Sequence, residues 1–507
     1  MKIRHWILSL LALPGAIVAH AADNAPGNIV FIGDSITQGY TQSGKTQASY
    51  RYQFWKGLVD NGLEPGKDYR FSGSQNGAYY TGATDPVAGI TPAYRGAAFD
   101  NTHEGHFNWQ ASWISGRLAV PSDQHSGNRG SGNIQTWLDP ASASSYRPDT
   151  VFIMLGTNDL YKAGSSDALI GDIQTIVQNC QQSNPNATIY VLSITPPRNV
   201  NSAAVAQSMP SLVAEANRKA AAQAASWSTG TSSVKYMDVN TGLSPDGSMN
   251  NDNWHPNSQG ELIIAGNIMR GLGMESRTAG LQRKSGTALA VQASFQSGQP
   301  GFITSSNDPA GAWTFTSATT ATLAWAGNAA PGTAGPTLHG AWNAQGGNFT
   351  LDFTIRLNGT DRTNCFETLL GNGSAASGLL KIYTDRLVWD STVLYATDMT
   401  TGNNNLRIIY TAGDQTQGIQ SGYYIWLNGQ MIGDGLQGNA SLTREDAFRL
   451  GAVNGNHISD ALLANLAFET GTAYAIASSS VPEPASSLLI LCGGAGLLIR
   501  RRRPHTA

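Results

Sequence analysis

The chain has 507 residues, and its 31 Lys and Arg against 34 Asp and Glu give a formal net charge of −3. This balance excludes an overall basic field that would hold nucleic acid, so we expect no nucleic-acid partner. Hydrophobic residues make up 41% of the chain, which is enough to fill cores and excludes a mainly disordered protein. The length predicts two or three domains.

The first 22 residues have the order of a secretory signal peptide. Lys2 and Arg4 precede an apolar run at 6–13, and an Ala-x-Ala cleavage site follows at 19–21. The run is too short to span a bilayer. We therefore expect a protein that is secreted or carried to the cell envelope.

Residues 23–276 alternate between short strands and helices. Runs rich in Val, Ile and Tyr predict strands, and helical spacing predicts helices between them. The strands are predicted at 28–33, 150–156, 187–194 and 234–239, and the helices at 167–182, 203–225 and 259–272. Such alternation predicts a parallel sheet with helices on both faces. Ligands of these sheets bind at the carboxyl ends of the strands.

Three polar motifs follow predicted strands. Ser35 lies in GDSITQG, Asn158 lies in GTND, and Asp252 and His255 lie in DNWHP. Each motif alone has a plain structural explanation, such as a helix N-cap, an Asx turn or an incidental loop histidine. Together they favour one site, because a serine nucleophile needs an adjacent base and an aspartate can orient that base.

The motifs GDSITQG, GTND and DNWHP, in this order, resemble those of the SGNH or GDSL hydrolases over about residues 28–272. The resemblance implies a flavodoxin-like, three-layer α/β/α fold around a parallel sheet. It also implies that Ser35 is the nucleophile, that His255 is the general base and then the acid, and that Asp252 orients His255. The N–H of Ser35 and the side chain of Asn158 would contribute to an oxyanion hole.

A further block, FSGS at 71–74 with HEGHFNW at 103–109, resembles the second block of carbohydrate esterase family three, a family of acetyl xylan esterases. That block usually ends in Gly-Trp, and the glycine N–H is an oxyanion donor. Asn108 stands at this position, and asparagine adopts a left-handed backbone more readily than most residues. The departure leaves the third donor and xylan as the substrate open.

We therefore predict an oxyanion hole formed by Ser35, Asn108 and Asn158. The predicted substrate contacts come from three side chains near the motifs, His106, Trp109 and Trp254. His103 and His106 as metal ligands are an alternative, but their spacing differs from that of H-E-x-x-H, and no Cys or carboxylate partner stands out. We expect neither a metal nor another cofactor.

After residue 277 the helical periodicity disappears. Short β-rich runs alternate with Gly- and Asn-rich turns and predict an all-β sandwich over 290–471. The predicted strands are 349–357, 379–388, 405–411, 423–427, 447–450 and 462–468. The runs FTLDFTIRL, YIWLNG and RLG resemble those of LamG or concanavalin-like jelly rolls, which implies either a glycan-binding module or a spacer. We expect linkers at 277–289 and 472–480, and a module that can be removed without loss of the catalytic domain.

The C-terminal segment 481–507 begins with Val-Pro-Glu-Pro, continues with an apolar run at 488–499 and ends in a cluster of arginines. This order resembles the PEP-CTERM sorting signal of exported bacterial proteins, which implies transient membrane contact and removal of the tail. A permanent tail anchor is the alternative, although the apolar run is short for one.

Three cysteines, Cys180, Cys365 and Cys492, are too few for a disulfide scaffold. One bridge between Cys180 and Cys365 is possible, but the two fall in different predicted domains, so we expect thiols.

These features combine into a secreted serine esterase that removes acetyl groups from carbohydrate, either plant polysaccharide or glycans with O-acetylated sialic acid. A lipase or thioesterase of the same fold is one alternative, although region 72–140 is rich in Gly, Ser, Asn and His. An inactive glycan-binding envelope protein is another.

Overall fold

The structure is a computed structural model. It describes residues 25–39, 48–79, 91–125, 128–162, 164–198, 204–284, 289–295, 304–306, 312–324, 336–341, 344, 347–359, 362–363, 365–442, 446–453 and 460–476. The predicted signal peptide at 1–22 and sorting tail at 481–507 lie outside these ranges. In the described part of the chain, no helix is both long and apolar enough to cross a membrane.

The N-terminal part is built on a seven-stranded sheet with the order β3-β4-β1-β5-β6-β7, in which β2 also pairs with β1. Its strands are β1 (Gly27–Gly33), β2 (Tyr69–Ser72), β3 (Gln75–Asn76), β4 (Thr102–Gly105), β5 (Thr150–Met154), β6 (Thr188–Leu192) and β7 (Ser233–Met237). All neighbouring strands are parallel except β3 and β4. The predicted parallel α/β fold is confirmed, and β2, β3 and β4 are strands that the sequence pattern does not predict.

Helices cover both faces of this sheet. They are α1 (Ser35–Gln38), α2 (Tyr50–Asp60), α3 (Ala111–Ile114), α4 (Ile134–Leu138), α5 (Thr157–Tyr161), α6 (Ser166–Ser183), α7 (Ala204–Gln223), α8 (Pro245–Ser248) and α9 (Ser258–Gly271). Val30 of β1 joins a core cluster with α6 and α7, whereas Phe31 joins another with α2 and α9. Successive side chains of a strand point to opposite faces, so α6 and α7 cover one face and α2 and α9 the other.

The C-terminal part consists of two antiparallel sheets with the orders β10-β13-β22-β15-β16-β17-β18 and β11-β12-β23-β14-β19-β20-β21, and β9 pairs with β23. The strands are β8 (Gln282–Lys284), β9 (Val291–Gln292), β10 (Thr304–Ser306), β11 (Trp313–Ser317), β12 (Thr320–Leu323), β13 (Thr337–Ala341), β14 (Phe349–Leu357), β15 (Phe366–Leu370), β16 (Gly378–Ile382), β17 (Arg386–Trp389), β18 (Thr392–Ala396), β19 (Asn404–Thr411), β20 (Gly422–Leu427), β21 (Gln430–Leu436), β22 (Ala447–Gly451), β23 (Ala461–Thr470) and β24 (Tyr474–Ile476). We call the two antiparallel sheets the sandwich, and β8 and β24 lie outside them. The strand predicted at 379–388 is in fact the pair β16 and β17.

The predicted linkers are wrong in part. Strand β8 lies in the segment 277–289, β24 lies in 472–480, and the two pair in parallel. The chain therefore enters and leaves the sandwich side by side. Arg277, at the start of the first predicted linker, is only 4% exposed. The polar composition of 277–289 conceals its role, because Arg277, Arg283 and Lys284 each form an ion pair.

The cores of the two parts are continuous. One hydrophobic cluster contains Phe54 of α2 and Ile264 of α9 together with Phe353 and Ile425 of the sandwich. Cys180 and Cys365 are both free and buried, so the possible bridge does not form. Burial raises the pKa of each thiol to about 12.

Candidate active site

Ser35 follows β1 directly and is the first residue of α1. The side chain of Asp34 caps this short helix, because its Oδ1 accepts a hydrogen bond from the N–H of Ile36 at 2.9 Å. Burial raises the pKa of Asp34 to about 6. Ser35 itself is 7% exposed. Its hydroxyl lies at the carboxyl end of β1, on a turn that this cap fixes.

A hydrogen-bonded chain joins Ser35 to an acid and a base. The Nε2 atom of His255 lies 2.8 Å from Ser35 Oγ, and its Nδ1 lies 2.8 Å from Asp252 Oδ2. Burial alone would raise the pKa of Asp252, but the hydrogen bond and charge of His255, together with the backbone N–H groups of Trp254 and His255, outweigh it, and the pKa lies below its usual range. An ionised Asp252 accepts a hydrogen bond from Nδ1–H, which leaves Nε2 unprotonated and able to accept the proton of Ser35.

The loop that carries the acid and the base is closed on itself. Its residues 249–257 connect α8 to α9, and we call it the catalytic loop. The N–H of Asn250 donates to His255 O at 2.8 Å, and the N–H of Arg198, after β6, donates to Asn253 O at 2.9 Å. Asp252 Oδ1 also accepts hydrogen bonds from the backbone of Trp254 and His255. These bonds hold the imidazole against the end of β1.

The predicted oxyanion donors come from three neighbouring strands. In the sheet, β1 lies between β4 and β5, and Gly33 is in register with Gly105 on one side and Met154 on the other. Ser35, Asn108 and Asn158 follow these strands by a few residues each. The sheet therefore brings all three to one edge.

Asn108 adopts the left-handed conformation, with φ of 66°. It is the third residue of a tight turn in which the N–H of Trp109 donates to His106 O at 3.1 Å. A turn with positive φ at its third residue favours Gly or Asn there. Asn108 thus supplies the backbone geometry for which glycine is the usual choice, and its side chain donates to Gln124 Oε1 at 2.8 Å.

Asn158 is tied to this turn. Its Nδ2 donates to Trp109 O at 2.9 Å, and a carboxamide nitrogen has a second hydrogen. The turn is also bonded to β1, because the N–H of His106 donates to Gly33 O at 3.0 Å. The segments that carry Ser35, Asn108 and Asn158 are therefore cross-linked to one another.

The structure does not support His106 and Trp109 as substrate contacts. Both side chains are fully buried. The His106 ring stacks between Trp109 and Trp137, with ring centroids 4.3 and 4.7 Å apart. Motif position alone does not reveal burial, and these aromatic residues instead support the turn that carries Asn108. The third predicted contact, Trp254, is partly buried and packs edge-to-face on Tyr161 at 5.1 Å.

Glu104 is a site residue that sequence reasoning misses. Its Oε2 lies 2.9 Å from His106 Nε2, and His106 Nδ1 lies 2.7 Å from Arg129 O. The N–H and hydroxyl of Ser74 also bond to the Glu104 carboxylate. The motifs FSGS and HEGHFNW are therefore joined through Glu104 into one support for the turn of Asn108. The signal that could have identified Glu104 is a charged residue within an otherwise buried motif.

Asp159, the last residue of GTND, is also buried. Its carboxylate accepts hydrogen bonds from the N–H of Ala111 at 3.0 and 3.1 Å, and burial raises its pKa to about 7. It anchors α3 just after the Asn108 turn.

His103 is enclosed rather than available for a metal. Its Nε2 lies 2.9 Å from Gly77 O, and its Nδ1 accepts from the N–H of Gly105 at 2.9 Å. Burial lowers the pKa of His103 well below its usual value. Across the described ranges, no three His, Cys, Asp or Glu side chains are grouped to hold a metal ion.

Residues 31–263 match the model of the GDSL-like Lipase/Acylhydrolase family, so the N-terminal part is similar to that family. No curated protein matches the chain. Among solved structures, the chain is similar to a carbohydrate esterase family 3 from Talaromyces cellulolyticus, with 25% identity over 48% of this chain and 96% of that one and a TM-score of 0.33. It is also similar to a family 3 carbohydrate esterase of Clostridium thermocellum, with 21% identity over 48% and 93% and a TM-score of 0.32.

Proposed function

We propose that this GDSL-type domain is a serine esterase that removes acetyl groups from the hydroxyls of carbohydrates. The observation that carries the proposal is the unbroken set of hydrogen bonds from Asp252 through His255 to Ser35, beside the turn of Asn108 and the amide of Asn158. This arrangement has the geometry of an activated nucleophile.

The first half of the reaction forms an acyl-enzyme. Ser35 Oγ attacks the acetyl carbonyl carbon while His255 Nε2 takes its proton, and Asp252 stabilises the resulting imidazolium. The N–H groups of Ser35 and Asn108 and the amide of Asn158 donate to the oxyanion. His255 then gives its proton to the departing sugar oxygen.

The second half returns the enzyme to its starting state. A water molecule gives a proton to His255 and attacks the acetyl carbon of the acyl-enzyme. Collapse of the intermediate breaks the bond to Ser35 Oγ, which recovers its proton from His255. The products are acetate and the deacetylated sugar.

A polar substrate fits the residues that border Asn108. Lys162 Nζ lies 3.4 Å from Asn108 O, and Arg129 lies over the stacked rings of Tyr79 and Phe107. On the His255 side, Trp254 packs against Tyr161, which is 50% exposed. Exposed aromatic rings suit the apolar faces of sugars.

We also propose that the enzyme acts outside the cytoplasm on acetylated glycans. The support is the sequence alone, namely the signal-like segment 1–22 and the tail 481–507, which implies transient membrane contact.

The test is acetate release from a panel of acetylated xylan, chitin fragments, pectin and O-acetyl sialosides, with Ser35→Ala as the control. We expect release from at least one carbohydrate by the wild type and none above background by folded Ser35→Ala. Acetyl esters of 4-nitrophenol should have a higher kcat/KM than octanoyl esters. A preference for the octanoyl ester would favour a lipase, and no hydrolysis of any ester would favour an inactive binding protein.

A further inference from the structure

The catalytic loop is anchored at its base by α8 and α9. The N–H of Asn257, the N-cap of α9, donates to Ser248 O at 2.9 Å, and its side chain donates to Gly247 O at 2.8 Å. Asp252 and His255 lie between these two anchors. Whatever fixes α8 and α9 therefore also fixes the acid and the base.

Both helices lie against one edge of the sandwich. Strand β18 is the last strand of one sheet and β21 is the last strand of the other. We call these two strands the sandwich edge. An edge strand leaves a row of backbone groups without strand partners, and proteins often cover such an edge. In α9, every residue from Gly260 to Met269 is buried, as expected for a helix enclosed on all sides.

Gln259 joins the two strands of the sandwich edge. Its Nε2 donates to Leu394 O of β18 at 2.7 Å and to Ile432 O of β21 at 2.8 Å. It lies in the first turn of α9, four residues after His255. A single side chain thus ties the start of α9 to both sheets.

The contact leaves no room for a shift of α8. A Cβ on Gly247 of α8 would lie 2.5 Å from Val393 Cβ, and one on Gly242 would lie 2.0 Å from the Tyr395 ring. The N–H of Ala396 also donates to Gly242 O at 2.9 Å. Backbone therefore meets the sandwich edge directly, which a loosely tethered module does not require.

We propose that the sandwich edge is the support of the catalytic loop, and that Gln259 is a positioning residue that sets His255 against Ser35. The inference rests on the proposed roles of Asp252 and His255. It assigns the sandwich a part in catalysis, whether or not the sandwich also binds glycan.

The test compares Gln259→Ala with a matched control, Gln181→Ala, in the full chain. Gln181 also donates two hydrogen bonds from its Nε2, to Trp227 O and Ser232 Oγ, but it lies on α6. For 4-nitrophenyl acetate we expect Gln259→Ala to lower kcat roughly 5- to 50-fold with KM within about twofold, since small misplacements of catalytic groups cost this order of rate. Gln181→Ala should keep kcat.

A second readout is the rate at which Ser35 reacts with a small fluorophosphonate, which reports nucleophile activation without a glycan site. It should fall in Gln259→Ala by about the same factor as kcat. Gly247→Ala, which pushes α8 from Val393, should lower both rates as well. Unchanged kcat and phosphonylation in folded Gln259→Ala would overturn the proposal. An unreactive wild-type Ser35 would instead overturn the proposed function.

Discussion

The two helix layers of the parallel sheet differ in what lies outside them. Helix α6 buries a stripe that includes Leu169, Ile173 and Val177 and exposes its other side, whereas α9 is buried at every position from 260 to 269. The first pattern is that of an outer layer and the second that of an inner layer. The sandwich therefore covers the outer side of α9, so that the parallel sheet, α9 and the sandwich form three successive layers. The boundary near residue 277 does not separate two independent cores.

The same difference divides the proposed catalytic residues. Ser35, Asn108 and Asn158 are held by strand ends and hydrogen bonds within the α/β part. Asp252 and His255 lie on the catalytic loop, whose base contacts the sandwich. Changes to the α/β part should disturb nucleophile and oxyanion stabilisation, and changes to the sandwich edge should disturb the base.

The largest effect should follow removal of the Asp252 charge. Asp252→Asn keeps the shape but no longer stabilises the imidazolium or fixes its tautomer, so we expect kcat to fall roughly 10⁴-fold. Steady-state kinetics on 4-nitrophenyl acetate measures this, with circular dichroism as the check on folding. A loss below tenfold would mean that the base does not depend on Asp252.

A stability comparison sharpens the contrast between the interface with the sandwich and the outer surface. Arg277 is buried against Asp434 of β21 and the charge of Arg277 helps to lower the pKa of Asp434 to about 2, although burial opposes this shift. Asp434→Ala leaves a buried cation and should cost roughly 3–5 kcal/mol of unfolding free energy. On the outer surface, Lys67 pairs with Glu64 and the two side chains are 67% and 66% exposed, so Lys67→Ala should cost about 0–1 kcal/mol.

Urea unfolding of both variants measures the contrast. Equal losses would mean that the interface with the sandwich is no more interior than the outer surface.

Within the α/β part, Asn158→Ala removes one side-chain oxyanion donor. We expect a fall in kcat of roughly 10²- to 10³-fold with little change in KM. Asn179 is a suitable control, because its Nδ2 donates within α6 to Thr175 O at 2.8 Å, and Asn179→Ala should keep kcat. If the two variants behave alike, Asn158 is not an oxyanion donor.

The turn at Asn108 should give a smaller effect. Asn108→Gly keeps the left-handed backbone and should retain kcat within about threefold. Asn108→Ala should lose roughly tenfold, because alanine in this conformation costs about 1–2 kcal/mol. The measurement compares the kcat of the two variants, and we expect Asn108→Gly to have the higher value. The reverse order would mean that Asn108 N–H is not a donor in the oxyanion hole.

The smallest expected effect is a pH dependence of stability. The pKa of Asp159 is raised to about 7 in the folded chain, so protonation stabilises the fold at acid pH, and this contribution is lost as pH rises through 7. Asp159→Asn keeps an acceptor for the N–H of Ala111. The Tm of the variant relative to that of the wild type should therefore rise between pH 5 and 8. The measurement is the difference in Tm between Asp159→Asn and the wild type at each pH. The Tm of the wild type alone does not suffice, because His103, with its lowered pKa, changes stability with pH in the opposite direction. A constant difference would contradict the assignment.

The sequence predicts the α/β order and the meeting of Ser35, Asp252 and His255, because motifs after parallel strands share one sheet edge. It fails where burial is decided by distant residues. His106 and Trp109 lie in a motif but face the interior, and the polar run Gln282–Lys284 forms a strand. The run ELIIAGNIM, which lacks a polar face over 261–269, is the signal for a helix covered on both sides.

Whether the sandwich edge supports the catalytic loop is tested by the kcat of a fragment spanning residues 25–281 on 4-nitrophenyl acetate, compared with that of the full chain. We expect the fragment to lose at least about tenfold in kcat per folded molecule, because α9 and the catalytic loop lose the sandwich edge. A monomeric, folded fragment with the kcat of the full chain would contradict it.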